Sequence, residues 1–128
     1  MSHILIVDDS PTIRRMVRAS LAPLGNDVIE AASGLEAIEQ LAVGPIQFMV
    51  LDLNMPDMHG LEVLAFLRGH QKYRDLPVLV LTTRGDESSR TAAMAAGATA
   101  FMTKPFLPDA LASQAQALLA PAVTPEPR

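Results

Sequence analysis

The chain has 128 residues, 49% of them apolar, enough for one compact domain with its own core. It has no cysteine, which excludes a disulfide scaffold or a cysteine metal site and fits a reducing, cytoplasmic setting. A formal net charge of -4 and a pI of about 5.2 give no general drive toward nucleic acid or anionic membrane. No apolar run approaches the roughly 20 residues of a membrane span, and the start Met1-Ser2-His3 is not a secretory leader.

His3 to Val7 is apolar, reads as a first strand, and stops at Asp8-Asp9. Ser10-Pro11 is a helix start, a capping hydroxyl followed by proline at the first helical position. Ile13, Met16, Val17, Leu21 and Leu24 then share one helical face, with Arg14, Arg15 and Arg18 mostly off it, and Gly25-Asn26 turns the chain. Val28 to Ala31 is a short second strand. Ser33-Gly34-Leu35-Glu36 fits a capping box opening a helix that buries Ala37, Ile38 and Leu41, and Gly44-Pro45 closes it.

Phe48 to Leu51 is a continuous apolar run, the mark of a strand covered on both faces. It ends in Asp52, and Pro56 cannot continue it. A third helix is expected from about Met58 to Arg68, burying Leu61, Leu64 and Leu67, with Gly69 as its cap. Pro77 to Leu81 forms a fourth strand that delivers Thr82. A fourth helix spans about Asp86 to Ala96 and is small-sided, with Ala92, Ala93, Ala95 and Ala96. Thr99 to Thr103 is a fifth strand that delivers Lys104-Pro105. A last helix from about Pro108 to Leu119 turns Leu111, Ala115 and Leu118 inward. One domain over residues 1–120 is therefore expected, and the proline-rich residues 121–128 read as a disordered tail.

Alternating strands and helices give a parallel sheet with right-handed crossovers. All strand ends in such a sheet point to one edge, where ligands bind. Asp8, Asp9, Asp52, Thr82 and Lys104 would converge there. Three close carboxylates repel unless a cation sits among them, and a hard divalent ion with oxygen ligands, Mg²⁺, suits them. Acids, metal, a threonine hydroxyl and a flexible lysine are the inventory for phosphoryl transfer onto a carboxylate.

Ile6-Val7-Asp8-Asp9-Ser10, Leu51 to Asp57 with Gly60, Leu81-Thr82-Thr83 and Phe101 to Phe106 together resemble the receiver domains of two-component response regulators. The resemblance covers about residues 3 to 119 and implies a doubly wound, flavodoxin-like α/β fold with helices on both faces and strand order 2-1-3-4-5. The chain looks like a single-domain, CheY-like receiver: monomeric, cytoplasmic, with no external substrate turnover. Asp52 would accept a phosphoryl group from a histidine kinase or phosphotransfer protein. Asp9, Asp52 and the Asn54 backbone carbonyl would ligate Mg²⁺, with Asp8 acting mainly through a metal-bound water. Thr82, favoured over Thr83, and Lys104 would hold phosphoryl oxygens. Pro105 would follow a cis peptide bond. Phe101 stands where many chemotaxis members carry tyrosine, and Thr82 and Phe101 would be the switch pair. Asn54 and Arg84 flank the site in the family. The output surface would be helix 4, strand 5 and helix 5, where Ala92, Ala93 and Ala96 let a downstream protein approach, chemotaxis being one such pathway. His3, His59 and His70 receive no ligand role.

Two rival functions carry their own signatures. A phosphatase of the haloacid-dehalogenase type also uses a strand-end aspartate but wants a second Asp two residues on, where this chain has Asn54. A receiver acting only by docking would have lost site residues, and all of them are present. No glycine-rich phosphate loop follows the first strand, which disfavours a nucleotide-binding module.

Overall fold

The computed structural model describes residues 3–83 and 85–119. Arg84, Ala120 and the tail 121–128 lie outside the described residues. Five strands, β1 (His3–Val7), β2 (Asp27–Ala31), β3 (Phe48–Leu51), β4 (Val78–Thr82) and β5 (Ala100–Thr103), alternate with five helices. These are α1 (Pro11–Leu21), α2 (Gly34–Val43), α3 (Gly60–Gly69), α4 (Glu87–Ala95) and α5 (Pro108–Leu119). The sheet is parallel throughout, in the order β2-β1-β3-β4-β5.

Successive strand side chains alternate between two cores. Leu5, Val7, Met49, Leu51, Val78 and Val80 face α2, α3 and α4. Ile4, Ile6, Phe48, Val50, Leu79 and Leu81 face α1 and α5 through Val17, Leu21, Leu111 and Ala115. Both faces are thus covered, which explains the unbroken apolar runs of β3 and β4.

The helix starts follow the sequence signals, with two differences. The Ser10 side chain accepts the Ile13 N–H, and Ser33 accepts that of Glu36. The Glu36 carboxylate, however, accepts the N–H of Ala32 rather than that of Ser33. The reciprocal box forms instead at α3, where His59 is the N-cap and Glu62 reaches back to its N–H. A histidine ring nitrogen can accept at an N-cap as a hydroxyl does, which the sequence pattern did not suggest. The helix bounds also shift: α3 starts later, at Gly60, and runs on to include Gly69, and α4 stops at Ala95. Val63 is fully buried where Leu61 is half-buried. Ser20 is buried on α1, satisfied by the Met16 carbonyl, whereas Met16 is 44% exposed.

Two contacts fix the loops that carry the acids. Arg14 and Arg18 both hold the Glu30 carboxylate on β2 at 2.8 Å, and Arg14 also donates to the Asp8 carbonyl at 2.7 Å. The hydrogen bond from Arg18 is the main cause that keeps Glu30 below the usual carboxylate range; burial opposes it, and the Arg14 hydrogen bond adds to it. The Asp57 carboxylate accepts the Gly34 and Leu35 N–H groups, pinning the loop after β3 to the start of α2. Gly60 lies against that same loop. A Cβ there would stand 2.6 Å from the Asp52 carbonyl oxygen and 2.7 Å from the Leu53 Cα. Gly60→Ala must therefore move backbone, and a loss of about 2 kcal/mol is expected in urea unfolding. Stability equal to wild type would show the loop to be pliable there.

Candidate functional site

The ends of β1, β3 and β5 meet at one edge. β1 delivers Asp8, buried to 3% exposure, and exposed Asp9 beside it. β3 delivers Asp52, 4% exposed. One carboxylate oxygen from each of Asp8, Asp9 and Asp52 lies within 4.8 Å of the others. β5 delivers Lys104, whose Nζ is 2.6 Å from Asp8 Oδ2 and 3.5 Å from Asp52 Oδ1. The Lys104–Pro105 peptide bond is cis.

Asp8 is the most fully engaged acid. Its Oδ1 accepts the Ser10 N–H at 2.9 Å while its Oδ2 takes the lysine. Both oxygens already have donors, unlike the solvent-facing carboxylate of Asp9. Asp52 is pushed above its ordinary range. Burial is the main cause, Lys104 opposes it, and the neighbouring Asp8 charge adds to it. Among the described residues, three carboxylates against one ammonium leave two negative charges over. An oxygen-only donor set with that excess fits a hard divalent cation.

Thr82 ends β4 with no exposure, and its Oγ1 accepts the Asn54 Nδ2 at 3.3 Å. Asn54 itself is exposed. Thr83, not Thr82, faces the cleft that opens over the acids. That side-chain link from Asn54 to Thr82 was not legible in the sequence, where Asn54 entered only through its backbone carbonyl. Phe101 does not reach the acids. It is half-buried on β5 opposite Val80, against the core beneath α4, with the Arg90 guanidinium 5.7 Å from its ring centroid. The alanines of α4 and its C-cap divide: Ala93 is buried against the sheet, the C-cap Ala96 is half-buried, and Ala92 and Ala95 are exposed.

No helix among the described residues is long and apolar enough to cross a membrane. The response regulator receiver domain family matches residues 4–116. A chemotaxis protein CheY homolog of Campylobacter jejuni is 37% identical over 118 residues, covering 91% of each chain. Chemotaxis protein CheY1 of Helicobacter pylori is 36% identical over 118 residues, 91% of this chain and 95% of that one. The structure of chemotaxis response regulator CheY4 of Vibrio cholerae superposes with a TM-score of 0.86 at 36% identity, over 93% of this chain and 99% of that one. These matches do not favour the phosphatase alternative. Domains of this kind are signalling proteins that interact with histidine kinases and downstream targets. A strand-end acid cluster, the sheet order that creates it and these likenesses all agree: the chain belongs to the response regulator receiver domain family and is CheY-like.

Proposed function

We propose that this chain is a phosphorylation-controlled switch in which Asp52 takes a phosphoryl group from a phosphohistidine of a sensor kinase or phosphotransfer protein. The observation that carries the reading is the meeting of three carboxylates within 4.8 Å beside a half-buried lysine. An Asp52 oxygen forms the new P–O bond, the P–N bond to the donor imidazole breaks, and its electron pair stays on the ring nitrogen, which then takes up a proton.

Asp9 and Asp52, with the Asn54 carbonyl, would hold Mg²⁺, and Asp8, whose oxygens already have donors, would act through water. Bound there, the ion supplies Lewis-acid stabilisation of charge on the transferring group. The chain's own residues do the rest. Lys104 is already at the acids and can turn its ammonium from Asp8 to a phosphoryl oxygen. The phosphoryl group brings roughly two negative charges, which that ammonium partly offsets. Thr82 would release its Asn54 contact and donate its hydroxyl to another phosphoryl oxygen. Asp52, self-phosphorylating from small donors and self-dephosphorylating, would turn over no external substrate.

Movement of Thr82 vacates space beside β4, and Phe101 on β5 is the ring that can fill it. A phenyl ring has no hydroxyl to lock the inward state, so packing and the weak Arg90 contact set the balance, at about 0.5–1 kcal/mol for the latter. Ring NMR of Phe101 is expected to show two environments, with beryllofluoride shifting the population toward one. A single unchanged environment would remove Phe101 from the switch. The response would reach a downstream protein, in chemotaxis or a related pathway, through α4, β5 and α5. The exposed Ala92 and Ala95 permit close approach there. Residues 1–120 would act as one receiver unit, monomeric and cytoplasmic. The reading as a whole is tested by incubating the chain with Mg²⁺ and a donor and seeking a phosphoryl adduct on Asp52 by mass spectrometry.

A further inference from the structure

A cleft of about 450 Å³ opens over the acids, and its lining mixes charged and apolar side chains. Its charged lining residues, Asp8, Asp9, Asp52 and Lys104, cluster together. Ile13 and Met16 of α1 with Phe106 of the β5–α5 loop form an apolar wall of the same cleft. A second cavity of about 240 Å³ continues past that wall, sharing Met16 and Phe106 with the first. The apolar surface is therefore a trough running outward between α1 and α5. Met16 stays 44% exposed there.

Displacement at phosphorus proceeds roughly in line, so the leaving group departs on the side away from Asp52. Asp52 is buried and Met16 is exposed, so that side is the mouth of the cleft. We propose that Ile13, Met16 and Phe106 form a leaving-group subsite that favours phosphoryl donors whose departing group carries a flat apolar ring. The inference rests on Asp52 as phosphoryl acceptor and extends that reading to donor choice. For an aromatic acyl phosphate, Asp52 Oδ forms the new P–O bond. The bond between phosphorus and the acyl oxygen breaks, and its electron pair leaves on an aromatic carboxylate. No proton moves and total charge is conserved. The ring lies on the apolar wall in both ground and transition states, whereas a methyl group reaches little of it.

The test uses the full chain with Mg²⁺ and two donors, benzoyl phosphate and acetyl phosphate, at equal concentrations below saturation. Adduct formation is followed by intact mass. Benzoyl phosphate is expected to react about tenfold faster, the discrimination an apolar pocket gives for a few added carbons. Met16→Ser and Phe106→Ser are each expected to bring the ratio of the two rates toward one. Equal rates in the wild type would overturn the subsite while leaving Asp52 as acceptor. So would variants that slow both donors alike, since that would mark a structural role. An adduct with neither donor would overturn the acceptor reading and the subsite with it. Binding without transfer gives a second readout. Benzoylphosphonate, which cannot donate, is expected to shift the Met16 methyl resonance more than acetylphosphonate does; equal shifts would count against the proposal.

Discussion

Asp52→Asn is expected to eliminate the phosphoryl adduct entirely and to make the metal-free protein more stable. The first effect follows from chemistry, since a carboxamide oxygen is a poor nucleophile beside a carboxylate. The second follows from the raised pKa of Asp52, whose ionised form is disfavoured by burial and by Asp8 more than Lys104 favours it. A carboxyl whose folded pKa lies above its unfolded value contributes stability at low pH and loses it as pH rises through the folded pKa. The neutral Asn loses nothing over that range. The advantage of the variant should therefore be absent near pH 3, below the ordinary value of 3.8, and grow as pH rises through the elevated one. Each kcal/mol of that advantage would raise Tm by roughly 3–6 °C for a chain of this size. Thermal melts of both proteins across pH measure it. An advantage that is constant with pH would show that the Asp52 charge is not its source.

Lys104→Met is expected to be the most damaging single change outside the core. The lysine side chain is 10% exposed and is paired with side chains that are 4% and 5% exposed, so its charge compensates buried acids. Removing one member of a buried ion pair leaves the other uncompensated, at a typical cost of about 3–5 kcal/mol. A divalent cation among the same carboxylates replaces part of the missing charge. Millimolar Mg²⁺ should thus stabilise the variant more than it stabilises the wild type. Its phosphorylation should also be slower by about 10²-fold or more, because no ammonium remains to meet the phosphoryl oxygen. Urea unfolding with and without Mg²⁺ checks the first part. A variant as stable as wild type without Mg²⁺ would show that water already screens the acids.

The order of strands and helices, the two-sided sheet and its parallel character were legible from local pattern. The apolar runs had the length of strands, and the starts of α1 and α2 carried a serine able to cap them. The convergence of Asp8, Asp9, Asp52 and Lys104 was legible too, because parallel strands with right-handed crossovers place all their carboxyl ends on one edge. What local pattern does not carry is the pairing of polar groups distant in sequence. Asp57 capping α2, Asn54 reaching Thr82, and Arg68 on α3 clasping the Gly97 carbonyl with two N–H groups are such cases. Each depends on a backbone position set by packing elsewhere. Gly97 shows the same limit, since its φ of +110° matters most because a Cβ there would meet Arg68.

The amino-acid order alone thus determined which groups stand at the rim of the sheet, since side-chain period and crossover hand are local rules of the backbone. Only the packed molecule decided how those groups share charge. Lys104 lies nearer Asp8 than Asp52, Asp52 is left partly uncompensated, and Phe101 rests under Arg90 away from the acids. Electrostatic partnership depends on distance and burial, and both are set by contacts between segments far apart in the chain.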